Sequence, residues 1–192
     1  SHRIKNTLAT VQAIVQGLGQ RCDSLPEFLV AFESRLAALA RAPSILTVPG
    51  DERVGLRGLL NRELAPYVGD VSHRLRIEGD ELTLARDSAI AMELVFHELV
   101  TNATKYGALS NDTGTVTVRC EHGAGADGAP TRIEWVESGG PPIESQSESG
   151  FGSLLIRSSV SHDLGGAVDM RFEPHGLHCT IAFPLTHNGV KE

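Results

Sequence analysis

A carboxylate, an amide and an ammonium fall at Glu98, Asn102 and Lys105, spaced i, i+4 and i+7. On a helix this spacing puts all three on one stripe. A hard cation carrying phosphate oxygens needs oxygen ligands and a nearby positive charge, and the stripe offers both. Taken alone, the same residues fit a solvated face with an i,i+4 polar pair better. Gly150-Phe151-Gly152 stands just ahead of a helical pattern. Backbone N–H groups at such a start can meet an anion such as a nucleotide phosphate, or the glycines can form a plain loop and cap. Glu137-Ser138-Gly139-Gly140 follows a strand pattern. It either sets a carboxylate at a pocket floor, where it accepts from an exocyclic amine, or makes an ordinary strand-end turn. His2 precedes the first seam residue, Ile4, by two positions, about 200° round a helix. An imidazole pointing off the seam is largely neutral at pH 7 and can act as a nucleophile; it can also be a plain surface histidine.

The elements that must position these groups are legible in the apolar spacing. Ile4, Leu8, Val11, Val15 and Leu18 repeat at 4, 3, 4, 3, the seam of a helix ending near Gly19. Ser24-Leu25-Pro26-Glu27 reads as a capping box, after which Leu25, Leu29, Phe32, Leu36 and Leu39 continue the seam until Pro43. Residues 1–43 are thus predicted to be a helical hairpin whose apolar seam is wider than two helices can cover. A second copy completing a four-helix bundle is the simplest partner. Leu56, Leu59, Leu60, Leu64 and Tyr67 mark a further helix. Short strands are predicted at 74–78 and 81–84, turning at Gly79-Asp80, and a long helix over 87–106, stopped by Gly107. Alternation returns at Val116, Val118 and Cys120 and at Ile133 and Trp135. A polar segment over 138–149 has no periodicity. A helix over 153–164 and strands over 167–173 and 179–185 complete the chain, an α+β pattern with a mixed sheet and helices on one face.

Composition excludes other classes. The 192 residues carry 17 Lys and Arg against 24 Asp and Glu, a net charge of −7, with no basic run to displace counterions from a duplex. Nucleic acid is therefore not an expected partner. The best apolar stretch, Leu82 to Val100, is broken by Arg86, Asp87, Glu93, His97 and Glu98, so no membrane span is expected. Cys22, Cys120 and Cys179 are odd in number and far apart, which argues against a disulfide framework or a zinc site and for a reducing cytoplasm. The start at Ser1-His2-Arg3 suggests a fragment of something longer.

Four segments resemble, in order, the boxes of the HWE family of sensor histidine kinases. Ser1-His2-Arg3-Ile4-Lys5-Asn6-Thr7-Leu8, continuing to Ile14, is similar to the phosphoacceptor box, and Phe96-His97-Glu98-Leu99-Val100-Thr101-Asn102-Ala103, continuing to Ser110, to the N box. Trp135-Val136-Glu137-Ser138-Gly139-Gly140-Pro141-Pro142 resembles the first glycine box and Gly150-Phe151-Gly152-Ser153-Leu154-Leu155-Ile156 the second. The His, Trp and Glu that name the family match His97, Trp135 and Glu137.

The resemblance implies a dimerisation and phosphotransfer hairpin over 1–43 and an ATP-binding domain of the GHKL type over 52–192, an α/β sandwich with a mixed sheet backed by helices. His2 would be phosphorylated and Glu98 would assist. Asn102 would hold Mg²⁺, while Lys105 and Tyr106 would face the phosphates or ribose. Glu137, where many relatives carry Asp, would take the adenine amine, with Thr180 supplying an adenine-side hydroxyl. Gly139, Gly150, Phe151 and Gly152 would line the nucleotide, and 138–150 would form a mobile lid. Arg3 follows His2 where many histidine kinases carry an acid, so either Asn6 or Glu98 would orient the imidazole. ATP and Mg²⁺ are the implied cofactors; the receiver domain of a response regulator, a second copy of the chain and a missing upstream sensor domain are the implied partners. A non-catalytic phosphotransfer or scaffold module, or another GHKL ATPase or serine kinase, would share parts of this pattern.

Overall fold

The computed structural model describes residues 53–67, 73–123, 129–142 and 151–185, with Val11, Gln12, Val15, Gln16, Leu18, Gly19, Ser24, Leu25, Phe28, Leu29, Phe32 and Leu36. The chain divides into two compact units, Ser1–Pro49 and Gly50–Glu192. His2, Asn6, Gly150 and lid positions 143–150 lie outside the described residues, as do the ends of the sequence-predicted domains at Pro43 and Glu52.

In the first unit the described positions other than Ser24 are helical. The Phe28 N–H donates to the Ser24 carbonyl at 3.0 Å, the first bond of a helix that begins after Ser24. Phe28 and Phe32, four residues apart, stack with ring centroids 5.8 Å apart. Of the seam residues, Leu18 is buried, whereas Val15, Leu25, Leu29 and Leu36 are exposed.

Among the described residues the second unit has seven strands and three α-helices: β1 (Arg53–Gly55), α1 (Leu56–Leu64), β2 (Leu75–Gly79), β3 (Thr83–Ala85), α2 (Arg86–Lys105), β4 (Thr115–Glu121), β5 (Thr131–Ser138), α3 (Phe151–Ser158), β6 (Ala167–Glu173) and β7 (Gly176–Phe183). The main sheet runs β2-β4-β5-β7-β6, with β2 parallel to β4 and the other neighbours antiparallel. Alternation gives it one apolar face. Val116, Val118, Cys120, Ile133, Trp135, Cys179, Ile181 and Phe183 are all buried there. Leu56, Leu59, Leu60 and Leu64 of α1, Met92, Phe96 and Leu99 of α2, and Leu155 and Ile156 of α3 supply the other side of the core.

One predicted pairing is corrected. Strands 74–78 and 81–84 do not form a hairpin: β3 pairs antiparallel with β1, a strand the sequence reading missed, in a separate two-stranded sheet. Gly79 adopts φ +86°, and the Asp80 N–H donates to the Cys120 carbonyl at 2.8 Å, so the chain follows β4 for one more residue before leaving the sheet. Leu82 and Leu84 are then buried, and Arg57 fastens the crossing by donating to the Ile77 and Gly79 carbonyls at 3.0 and 3.1 Å while pairing with Glu81 at 2.8 Å. The last helix is also distributed differently. α3 begins at Phe151 and loosens into a π turn over Ser159–Asp163, where the Leu164 N–H reaches the Ser159 carbonyl at 3.1 Å.

Cys120 and Cys179 are reduced and buried, and burial pushes their thiols up to about 11 and about 12. Since only the thiolate is nucleophilic, both should react with an aromatic disulfide at pH 8 more than about a hundredfold slower than a free cysteine. Unfolding in urea should release them together; fast labelling of either in the native chain, read by mass spectrometry, would contradict this packing.

Candidate nucleotide site

Glu98, Asn102 and Lys105 do share a stripe of α2, but it is not a solvated face. Glu98 is only 2% exposed, Asn102 is half-buried, and Lys105 and Tyr106 are open to solvent at the helix end. The buried end of the stripe meets the first turn of α3. A Cβ placed on Gly152 would come within 2.9 Å of Glu98 Oε2 and 3.1 Å of Asn102 Nδ2. The N-box and second-glycine-box residues, fifty positions apart in sequence, therefore touch, and only glycine lets the α3 backbone come so close. Oxygen donors, an amide and helix-start N–H groups converge there, a combination suited to phosphate oxygens and a hard cation.

The second cluster is centred on Glu137. Trp135 and Glu137 are two apart on β5 and share its inward face. The Trp135 indole N–H donates to Glu137 Oε1 at 3.0 Å, and the Ala108 backbone N–H donates to Oε2 at 2.9 Å. The carboxylate is buried; burial pushes its pKa up, with the two hydrogen bonds pulling the other way. Gly107 is needed beside it, because a Cβ there would lie 2.1 Å from Glu137 Oε2. Gly176, at φ +146° in the β6–β7 turn, backs the same residue, since a Cβ would lie 2.4 Å from the Glu137 carbonyl. The two clusters are joined through the end of α2: the Tyr106 and Gly107 N–H groups both donate to the Asn102 carbonyl, at 2.8 and 2.9 Å.

A loop over 107–114 roofs the Glu137 side. Asn111 donates from Nδ2 to the Gly139 carbonyl at 2.8 Å and accepts at Oδ1 from the Thr113 and Gly114 N–H groups. Buried Arg74 donates to the Asn111 and Gly114 carbonyls. Gly139 takes φ +74°, and Gly140 packs against Ala108, where a Cβ would come within 2.8 Å of backbone. Neither Arg74 nor Asn111 is visible to a search for catalytic spacing; an Asx turn at Asn111-Asp112-Thr113-Gly114 is the one local signal.

Thr180 is corrected. It pairs with Glu134, and Cys179 pairs with Trp135, so the pleat turns Thr180 to the face of the sheet opposite Glu137. Cys179 holds the inward place. Of Phe151 only the backbone is described.

His97 is not at either cluster. Its Nδ1 lies 2.9 Å from Glu63 Oε2, and the two side chains are 13% and 7% exposed, so the pair links α2 to α1 inside the helical layer. Glu63 was missed because nothing local in α1 marks it as a partner. The three signature residues are thereby one helix–helix tie and one indole–carboxylate tie.

A sequence model described as HWE histidine kinase matches residues 1–81. A blue-light-activated histidine kinase of Brucella anthropi is 33% identical over 186 residues, 97% of this chain and 38% of the relative. The chain is thus similar to HWE histidine kinases. A Brucella ovis protein of the same description is 29% identical over the same shares, so the chain spans about 38% of the length of the curated relatives it matches. Among solved structures, the histidine kinase domain of an Erythrobacter litoralis blue-light activated histidine kinase aligns with TM-score 0.60 at 18% identity, covering 91% of this chain and 96% of that one. Histidine kinase ThkA, solved in complex with the response regulator protein TrrA, gives TM-score 0.52 at 17% identity over 96% of this chain and 59% of that one. The fold is that of histidine kinase catalytic domains. Among the described residues no helix of the chain is long and apolar enough to cross a membrane.

Removing Glu63 strands part of a buried imidazole. Glu63→Ala should cost about 1–3 kcal/mol in urea unfolding, and adding His97→Ala should cost much less than the sum of the singles. Additive losses would show that the pair does not act as a unit.

Proposed function

We propose that the chain is the core of a sensor histidine kinase that uses ATP with Mg²⁺ to phosphorylate its own His2 and passes the phosphoryl group to an aspartate in a response regulator's receiver domain. The observation that carries this reading is the approach of the α3 N-terminal turn, at Gly152, onto Glu98 and Asn102. A phosphate-binding helix start and a hard-cation donor set in contact have no purpose in a scaffold. Residues 1–43 are taken as the phosphotransfer and dimerisation hairpin and 52–192 as the nucleotide domain. The exposed Val15, Leu25, Leu29 and Leu36 support a second copy as the hairpin's partner.

In this reading the Glu137 carboxylate accepts from the adenine amine, Gly139 and Gly140 let the chain pass close to the base, and the α3 N–H groups receive the phosphates. Asn102, with Glu98 behind it, is the residue that would hold Mg²⁺. Among the described residues there is no cluster of three or more His, Cys, Asp or Glu that could hold a metal. That suits an ion carried mainly by substrate phosphates with one or two protein ligands. Held there, Mg²⁺ would supply charge neutralisation to the substrate's phosphate oxygens. Lys105 and Tyr106, exposed at the end of α2, extend the site toward solvent. The neutral imidazole of His2 attacks the γ-phosphorus in line, a P–N bond forms as the bond to the bridging oxygen breaks, and ADP leaves. Catalysis rests on positioning and on charge stabilisation.

Two substitutions test this. With γ-labelled ATP, His2→Ala should abolish an acid-labile, base-stable label while leaving nucleotide affinity unchanged; label persisting in the variant would remove His2 from the mechanism, and an acid-stable label would favour a serine kinase. Asn102→Ala should weaken Mg²⁺-dependent ATP binding at least about tenfold by calorimetry, because a methyl offers no oxygen ligand. Unchanged affinity would displace the metal from α2.

A further inference from the structure

We infer that Trp135 is a positioning residue for base recognition: its indole N–H sets the orientation of the Glu137 carboxylate, so the chain's preference for an amine-bearing base depends on a tryptophan that the base itself need not touch. The inference rests on the reading of Glu137 as the acceptor for the base, and it assigns the tryptophan of the family signature a task separate from filling the core.

The geometry carries it in three steps. Trp135 is fully buried, and a buried indole N–H requires an acceptor; Glu137 Oε1 at 3.0 Å is that acceptor. Glu137 has one more rotatable bond than aspartate, and its carboxylate is reached by two donors from different directions, Trp135 on its own strand and Ala108 in the loop after α2. Two donors on two oxygens fix both the rotamer and the plane of the group, whereas one donor leaves the plane free to turn about the remaining bond. An ionised carboxylate offers about four acceptor sites, so with two engaged the rest stay available to amine donors and repel a carbonyl. Gly107 lies directly against Oε2, where a Cβ would come within 2.1 Å, and Gly176 packs on the Glu137 backbone and Cβ, so both ends of the side chain are closely packed.

Fixing the carboxylate therefore affects selectivity at the base and not the grip on the phosphates, which belongs to Asn102 and α3. The pair to compare is ATP and inosine triphosphate, which carries a carbonyl where adenine carries its amine. In the 192-residue chain, Trp135→Phe keeps a buried aromatic ring but removes the donor. Calorimetry with Mg²⁺ should show the ATP-to-ITP affinity ratio falling by about tenfold, with ITP affinity changed less than about twofold. An equal loss for both nucleotides would mean that Trp135 matters only as packing, and unchanged affinity for both would mean that it does not orient Glu137; either overturns the inference.

A second measurement needs no variant. Trp135 is the sole tryptophan of the chain, so its indole N–H gives a single nitrogen–proton resonance. Saturating ATP should move that resonance and ITP should move it less. An indole signal indifferent to bound ATP would overturn the inference while leaving ATP binding intact. Failure of the wild-type chain to bind either nucleotide would instead overturn the nucleotide-site reading itself.

Discussion

The second unit depends on one buried carboxylate. Glu137 sits at the end of β5, the centre of the main sheet, and accepts a hydrogen bond from the loop that follows α2. Through that bond the sheet is registered against the helix carrying Glu98 and Asn102. Placing a carboxylate out of water is expensive unless its oxygens are met by donors, and the two N–H groups that meet it are one from each layer's neighbourhood: an indole from the sheet and a backbone amide from the loop. The requirement propagates outward. Gly107 and Gly176 are confined to glycine by the side chain and backbone of Glu137, and Gly140 by the backbone of Ala108 that the carboxylate holds in place.

This dependence explains why the candidate site was more legible than the fold around it. The stripe on α2 follows from helical periodicity, which is local, and the glycines flanking Phe151 advertise a close approach wherever they occur. Residues 167–173 read as a strand because alternation and the following Pro174-His175 turn agree, and the structure keeps those limits. The β1–β3 sheet was invisible because Arg53-Val54-Gly55 is too short to show alternation, and because Gly79-Asp80 has the composition of a hairpin turn while the ladder with β4 decides its conformation. Thr180 was misplaced for a related reason. Assigning a hydroxyl to a pocket needs strand register, and a slip of one residue reverses the face.

The signature residues show the same limit from another side. His97 and Glu63 are 34 positions apart and meet only because α1 packs on α2; spacing within either helix contains no trace of the pair. Trp135 and Glu137 are two apart, and the i, i+2 relation does place them on one face, yet the strand pattern alone does not distinguish a tryptophan that fills space from one that donates. The distinction rests on the acceptor two residues on.

The two rims of the main sheet have a consequence for how copies of the chain can meet. β2 and β6 each have a single strand neighbour among the described residues, and their outward side chains include Arg76 and Glu78 on one and Asp169, Arg171 and Glu173 on the other. Charged rims of this kind discourage strand-to-strand joining into longer ribbons. The second unit thus resists polymerising through its backbone even at high local concentration. Any joining of copies through this unit is then left to side chains and not to its strand edges, and a contact of that kind can stop at a closed number of copies.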